Sequence, residues 1–195
     1  MMTSDLDALR GVAEEAADAA AEVIADALAA GDWSVRVKED HSPVTDVDIA
    51  AERAIRTVLT EATPQASFHG EETGRSEGHR SHGGAALRWL VDPIDGTKSF
   101  VRGLPFYSTQ IALEIDGELV LGVSNAPAFG ERLVATRGGE ARLDGRAVRT
   151  SAVERIGEAF LSSGNLATLA RDPAGWGRYG ALVARVQRVR GYGDF

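Results

Sequence analysis

The chain reads as a mixed α/β protein on three observations. Two N-terminal stretches carry helical apolar spacing, a series of short strand-like runs with Asp-Gly turns follows, and the last 45 residues return to strand, helix and strand. Residues 5–30 form an Ala-rich helix: Ser4 or Asp5 can cap it, Gly31 can stop it, and Leu6, Leu9, Val12, Ala16, Ala20, Val23, Ala27 and Leu28 recur on one face. A polar segment, 37–48, leads into a second helix from Asp48 to Ala62, with Ile49, Ala54, Ile55, Val58 and Leu59 apolar. Residues 64–69 look like a short strand running into Gly70-Glu71-Glu72, and the Gly/Ser/His-rich stretch 73–86 looks like a loop. Leu87–Val91 is a buried strand. Residues 111–115 and 118–123 flank Asp116-Gly117 as a hairpin, and 133–136 and 147–150 continue the sheet around a second turn at Asp144-Gly145. Residues 159–163 then read as a strand, 176–187 as a helix and 189–195 as the start of a further strand.

Composition narrows the function classes. The 195 residues carry a net charge of −8, which argues against non-specific binding to nucleic acid or to an anionic membrane. There are no cysteines, so disulfides, thiol catalysis and thiolate zinc sites are excluded. No apolar run approaches a membrane span and the first residues lack signal-peptide character, so the cytoplasm is the expected compartment. An acidic protein with an anionic substrate needs a local positive centre, and a bound cation is the simplest one.

Three acidic pairs sit at junctions between the expected elements: Asp46 with Asp48, Glu71 with Glu72, and Asp92 with Asp95. Asp92-Pro-Ile-Asp95 holds two carboxylates at a strand end and leads directly into Gly96-Thr97. Carboxylates suit a hard divalent cation, and backbone N–H groups at a helix start suit a phosphate. A solvated turn accounts for the same residue types, and helix capping alone accounts for Asp46. Rival motifs fail on spacing. Gly96-Thr97-Lys98-Ser99 lacks the Gly-Lys pair and the upstream glycine of a P-loop, and Asp46-Val-Asp48 lacks the glycine of a calcium loop. The Asp-x-x-Asp spacing is one residue too long for an aspartyl-phosphate nucleophile. His79 and His82 have no third ligand near them for zinc.

Residues 89–105, Gly70-Glu71-Glu72 and Ser42-Pro-Val-Thr-Asp-Val-Asp48 together resemble the inositol monophosphatase superfamily, in its motif order. Lys38–Asp46, Gly96-Thr97-Lys98, Val101–Pro105 and Arg190–Phe195 are most similar to its histidinol-phosphatase branch. The resemblance implies a layered α/β sandwich of alternating helix and sheet layers. It implies residues 1–150 as an N-terminal metal-binding α+β domain and 151–195 as the beginning of a C-terminal one. It also implies Mg²⁺-dependent hydrolysis of a small phosphate monoester, with histidinol phosphate first, then inositol 1-phosphate or a 3′-phosphoadenosine nucleotide.

The matching positions imply metal ligands at Glu71, Asp92, the Ile94 carbonyl and Asp95. They imply Asp48 and Thr97, beside Glu71, as the residues that orient the attacking water. Asp95, Gly96, Thr97, Arg190 and Asp194 are implied for the substrate, and a homodimer for the assembly. The family's second-half Trp-Asp pair has no counterpart at Trp33, Trp89 or Trp176. The expectation is therefore an incomplete second half, a site short of one carboxylate, and as an alternative a fragment that binds metal or phosphate without turnover. Asp95→Asn is expected to abolish Mg²⁺-dependent phosphate release with an unchanged circular dichroism spectrum; turnover at the unsubstituted level would sink the metal assignment.

Overall fold

Small side chains let the first helix sit close to its neighbours. In α1 (Thr3–Ala30) the residues Ala13, Ala16, Ala17, Ala20 and Ile24 are essentially inaccessible to solvent, and α1 packs on α2 (Asp46–Ala62) through this face. Gly31 ends α1 at φ +68°, with its N–H on the Ala27 carbonyl at 2.9 Å. Ala51, Ile55 and Leu59 form the buried side of α2. The computed structural model describes residues 3–78, 85–164 and 166–191, which divide between Val148 and Arg149 into two compact units.

In the first unit β1 (Val35–Val37) and β2 (Pro43–Thr45) pair antiparallel ahead of α2. The main sheet contains β3 (Ser67–Gly70), β4 (Gly74–Ser76), β5 (Leu87–Asp95), β6 (Ser108–Ile115), β7 (Glu118–Ala126), β8 (Glu131–Thr136), β9 (Ala141–Leu143) and β10 (Arg146–Val148). Its order is β10-β9-β8-β7-β6-β5-β3-β4. All pairings are antiparallel except that of β3 with β5. Alternation on the pleat sends Phe68, Trp89, Val91, Ile111, Leu113, Leu121, Val123 and Val134 into one core with α1 and α2. Trp89 also donates its Nε1–H to Thr63 Oγ1 at 2.9 Å, fastening β5 to the end of α2. After β5 comes the single turn α3 (Thr97–Phe100), held by the packing of Phe100 between Trp33 and Tyr107.

The second unit holds β11 (Phe160–Ser162), α4 (Leu166–Leu169), α5 (Pro173–Val183) and β12 (Arg188–Arg190), with β11 and β12 parallel. A 3₁₀ turn at Ile156–Glu158 precedes β11. No helix among the described residues is long and apolar enough to cross a membrane.

The α/β layering matches the sequence expectation, with local corrections. Helix α2 begins at Asp46 because Thr45 is its cap: the Thr45 side chain accepts the Asp48 N–H, and Asp48 accepts the Thr45 N–H. Asp46 is therefore not the cap; its carboxylate accepts the Ser34 N–H at 3.1 Å. The expected loop at 73–86 contains strand β4, and the polar segment 37–48 contains β2. The expected strand at 147–150 is the β9–β10 hairpin, shifted N-terminally. Helix α5 starts at Pro173 because Asp172 caps it. Both Asp-Gly turns hold: Asp116 and Gly117 have φ of 52° and 86°, and Asp144 and Gly145 have 49° and 77°.

Leu113 is fully buried in the middle of β6, so Leu113→Ala is expected to cost about 2–5 kcal/mol, read as a lower urea midpoint at an unchanged denaturant slope.

Candidate active site

Strands β3 and β5 run parallel, so their carboxyl ends reach the same edge of the sheet. In register, Gly70 lies opposite Val91, and the Glu71 N–H bonds the Val91 carbonyl at 3.0 Å. Glu71 therefore leaves β3 beside Asp92 of β5, and Asp95 follows where the β5–β6 register shifts. The amino end of α2 brings Asp48 to this edge, and α3 begins there after Gly96. Gly96 has φ +97°, and a Cβ on it would lie 2.5 Å from the Phe106 carbonyl oxygen, so only glycine fits the turn.

Asp48 and Thr97 are joined. Thr97 Oγ1 lies 3.1 Å from Asp48 Oδ1 and 3.0 Å from the Ile94 carbonyl oxygen, so its single proton has two acceptors. The other Asp48 oxygen accepts the N–H of Thr45 at 2.8 Å and its hydroxyl at 2.5 Å. Burial raises the Asp48 pKa, and these hydrogen bonds to its charged form work against that rise.

The acid cluster has the electrostatics of a cation site. Burial, then the charges of Glu71 and Asp95, push the Asp92 pKa to about 8, and a hydrogen bond with Glu71 adds to the rise. Asp92 Oδ1 is buried with no hydrogen-bond partner. Lys38 Nζ meets Glu71 Oε1 and Glu72 Oε1 at 2.7 Å each. Burial disfavours the Lys38 charge, but the two carboxylates outweigh it and raise its pKa. Burial likewise raises the pKa of Glu72, against the pull of Lys38. Among the described residues no three acidic or imidazole side chains close into a finished cage. The donor set still fits a hard divalent cation: carboxylates that repel one another, one orphaned buried oxygen, and a lysine ammonium already neutralising one corner.

The expected residues divide by location. Asp48, Glu71, Asp92, Ile94, Asp95, Gly96 and Thr97 lie on the strand ends and helix starts of the first unit. Arg190 is exposed in β12 of the second unit, where its guanidinium donates to the Val189 carbonyl at 2.8 Å. Asp194, like His79 and His82, lies outside the described residues. Sequence reasoning assigned no role to Lys38 or to Glu52, which is fully buried at the foot of the 71–73 turn. The available signal for Glu52 was a charged residue on the apolar side of α2, one turn after Asp48.

This geometry coincides with a match of residues 5–174 to the model of the inositol monophosphatase family. The chain belongs to the inositol monophosphatase family. Enzymes of this family generally depend on a metal and act on small phosphate substrates. The chain is 40% identical over 152 residues to a histidinol-phosphatase of Chlorobaculum parvum, covering 78% of itself and 55% of that relative. It is 36% identical to a histidinol-phosphatase of Streptomyces coelicolor, covering 100% of itself and 73% of the relative. The extragenic suppressor protein suhB from Bartonella henselae superposes with a TM-score of 0.83 at 30% identity, over 96% of this chain and 71% of that one. The chain thus spans a little over half of the first relative's length.

Asp92 sets a pH dependence for the metal-free protein. Its folded pKa, about 8, lies above the ordinary 3.8, so between those values the folded form holds a proton that the unfolded chain releases. Stability from this group is full below the lower value and declines as pH rises through the window. Urea unfolding in a chelator is expected to show that decline, and Asp92→Asn to flatten it.

Proposed function

We propose that this chain supplies the catalytic edge of a Mg²⁺-dependent phosphomonoesterase, with histidinol phosphate as its substrate. The observation that carries the reading is the Asp48–Thr97 hydrogen bond set beside the Glu71, Asp92 and Asp95 carboxylates. Similarity to histidinol-phosphatases supports the substrate class.

Glu71, Asp92, Asp95 and the Ile94 carbonyl would hold Mg²⁺, which when bound supplies Lewis-acid charge and lowers the pKa of water. Asp48 accepts the Thr97 hydroxyl proton at Oδ1, leaving a Thr97 oxygen lone pair for a hydrogen of the attacking water. Proton transfer from that water through Thr97 to Asp48 is general-base catalysis, and such positioned bases contribute about 10²–10⁴-fold. The N–H groups of Gly96 and Thr97 open α3, where no helical carbonyl can accept them, and they would hold phosphate oxygens. The resemblance assigns Arg190 and Asp194 to recognition of the remainder of the substrate. The same reading takes a small phosphorylated molecule as partner, a homodimer as assembly and the cytoplasm as compartment.

The test is phosphate release from histidinol phosphate, inositol 1-phosphate and a 3′-phosphonucleotide, with and without Mg²⁺, beside Asp48→Asn. Histidinol phosphate is expected to be hydrolysed fastest, and Asp48→Asn to lower kcat roughly 10²-fold or more. Faster release from either other ester would reassign the substrate. Mg²⁺ binding without any release would reduce the role to cation and phosphate capture.

A further inference from the structure

Glu52 is a carboxylate with no solvent exposure on a helix whose buried side is otherwise mostly apolar. Burying a charge is costly unless it is fully hydrogen-bonded, and Glu52 is bonded through both oxygens to one short turn. Oε2 accepts the N–H of Glu72 at 2.7 Å, Oε1 accepts the N–H of Thr73 at 2.8 Å, and the Thr73 hydroxyl donates to Oε1 as well. Two successive N–H groups converging on one carboxylate make an anion-binding nest, with the anion supplied by α2. Gly70, just before the turn, completes the fit: a Cβ there would lie 2.2 Å from Glu52 Oε1. One helical turn further on, Arg56 stacks on Phe68 with its guanidinium carbon 4.1 Å from the ring centroid. It donates to the Thr73 hydroxyl, to the Gly74 carbonyl at 3.2 Å and to Ser76 Oγ at 3.0 Å.

Asp48, Glu52 and Arg56 therefore follow one another at four-residue spacing along one face of α2. Asp48 reaches Thr97, while the other two grip the segment that follows Glu71. The Glu71 backbone is tied to the sheet through its N–H on Val91, and its carboxylate meets Lys38 and Asp92; the next fixed points along the backbone are the N–H groups of Glu72 and Thr73.

We propose that Glu52 is the positioning residue of the site: through the N–H groups of Glu72 and Thr73 it fixes the 71–73 turn and thereby sets the Glu71 carboxylate against Asp92. This rests on the cation-binding role proposed above for Glu71. Glu52 does not touch substrate or cation. It acts by denying the turn alternative conformations, as supporting groups do around metal sites, where their loss costs roughly 10–100-fold in metal affinity.

The test uses the 195-residue chain and Mn²⁺ alone, with affinity read from water proton relaxation, amide hydrogen exchange at residues 72 and 73, and the urea midpoint read in parallel. Glu52→Gln keeps the side chain's shape but turns an NH₂ group toward one of the two N–H donors. It is expected to speed exchange at 72 and 73 roughly tenfold or more and to weaken Mn²⁺ roughly 10–100-fold. Glu52→Asp, which keeps the charge, should recover part of both. If Glu52→Gln does not fold, Gly70→Ala displaces the same carboxylate from the opposite side and should show the same paired effect. Unchanged exchange at 72 and 73, or faster exchange with undiminished Mn²⁺ affinity, would overturn the proposal. Glu71→Gln separates the two ideas. Undiminished Mn²⁺ affinity there overturns the cation role of Glu71 and the positioning role with it. Weakened affinity there with undiminished affinity in Glu52→Gln overturns the positioning role alone.

Discussion

The site depends on the parallel pairing of β3 with β5. Every other pairing in the main sheet is antiparallel, and an antiparallel partner would have carried Glu71 to the far end of β5. Because the two strands run together, a carboxylate just past Gly70 and a carboxylate at Asp92 arrive at one edge, in the crevice where open sheets with parallel strands place ligands. The cost of that arrangement is visible in Asp92, whose pKa is raised by burial and by its acidic neighbours, and whose Oδ1 is left without a partner. Lys38, bridging Glu71 and Glu72, offsets part of the same repulsion.

Helix α2 answers the second requirement, which is rigidity. One side of it is core: Ala51, Ile55 and Leu59 lie against α1 and the sheet. Beside that apolar stripe runs a polar one, in which Asp48 is tied to Thr45 and Thr97, Glu52 to the 72–73 backbone, and Arg56 to residues 73, 74 and 76. The apolar side fixes the helix to the sheet, so the polar side can hold two separate loops at fixed distances from each other. Trp89 fastens the opposite end of the same helix to β5 through Thr63. Site and core are thus parts of one packing arrangement, joined along α2.

Much of this was legible in the amino-acid sequence. The alanine face of α1, the apolar spacing of α2 and the two Asp-Gly hairpin turns are local patterns, each set by side-chain period or by the φ > 0 that those turns require. The clustering of Asp92, Asp95, Gly96 and Thr97 was equally readable, because all four lie within six residues. Strands β1, β2, β4 and β9 were not readable. Each is three residues long and defined by its partner rather than by any apolar pattern of its own. The cap of α2 was misread for a related reason: Thr45 and Asp46 are both good capping residues, and the reciprocal bond between Thr45 and Asp48 decides between them.

By itself, the sequence determined the α/β layering and the resemblance to inositol monophosphatases, and it was through that resemblance that it singled out the candidate carboxylates. Only the tertiary structure decided how those carboxylates are held. Glu52 and Gly70 are 18 positions apart and meet because a helix packs beneath a turn; Lys38 and Glu71 meet across 33 positions. The Thr97–Asp48 hydrogen bond likewise spans 49 positions and forms where α2 meets the turn after β5. Long-range packing sets such contacts, and no local pattern in the chain encodes them.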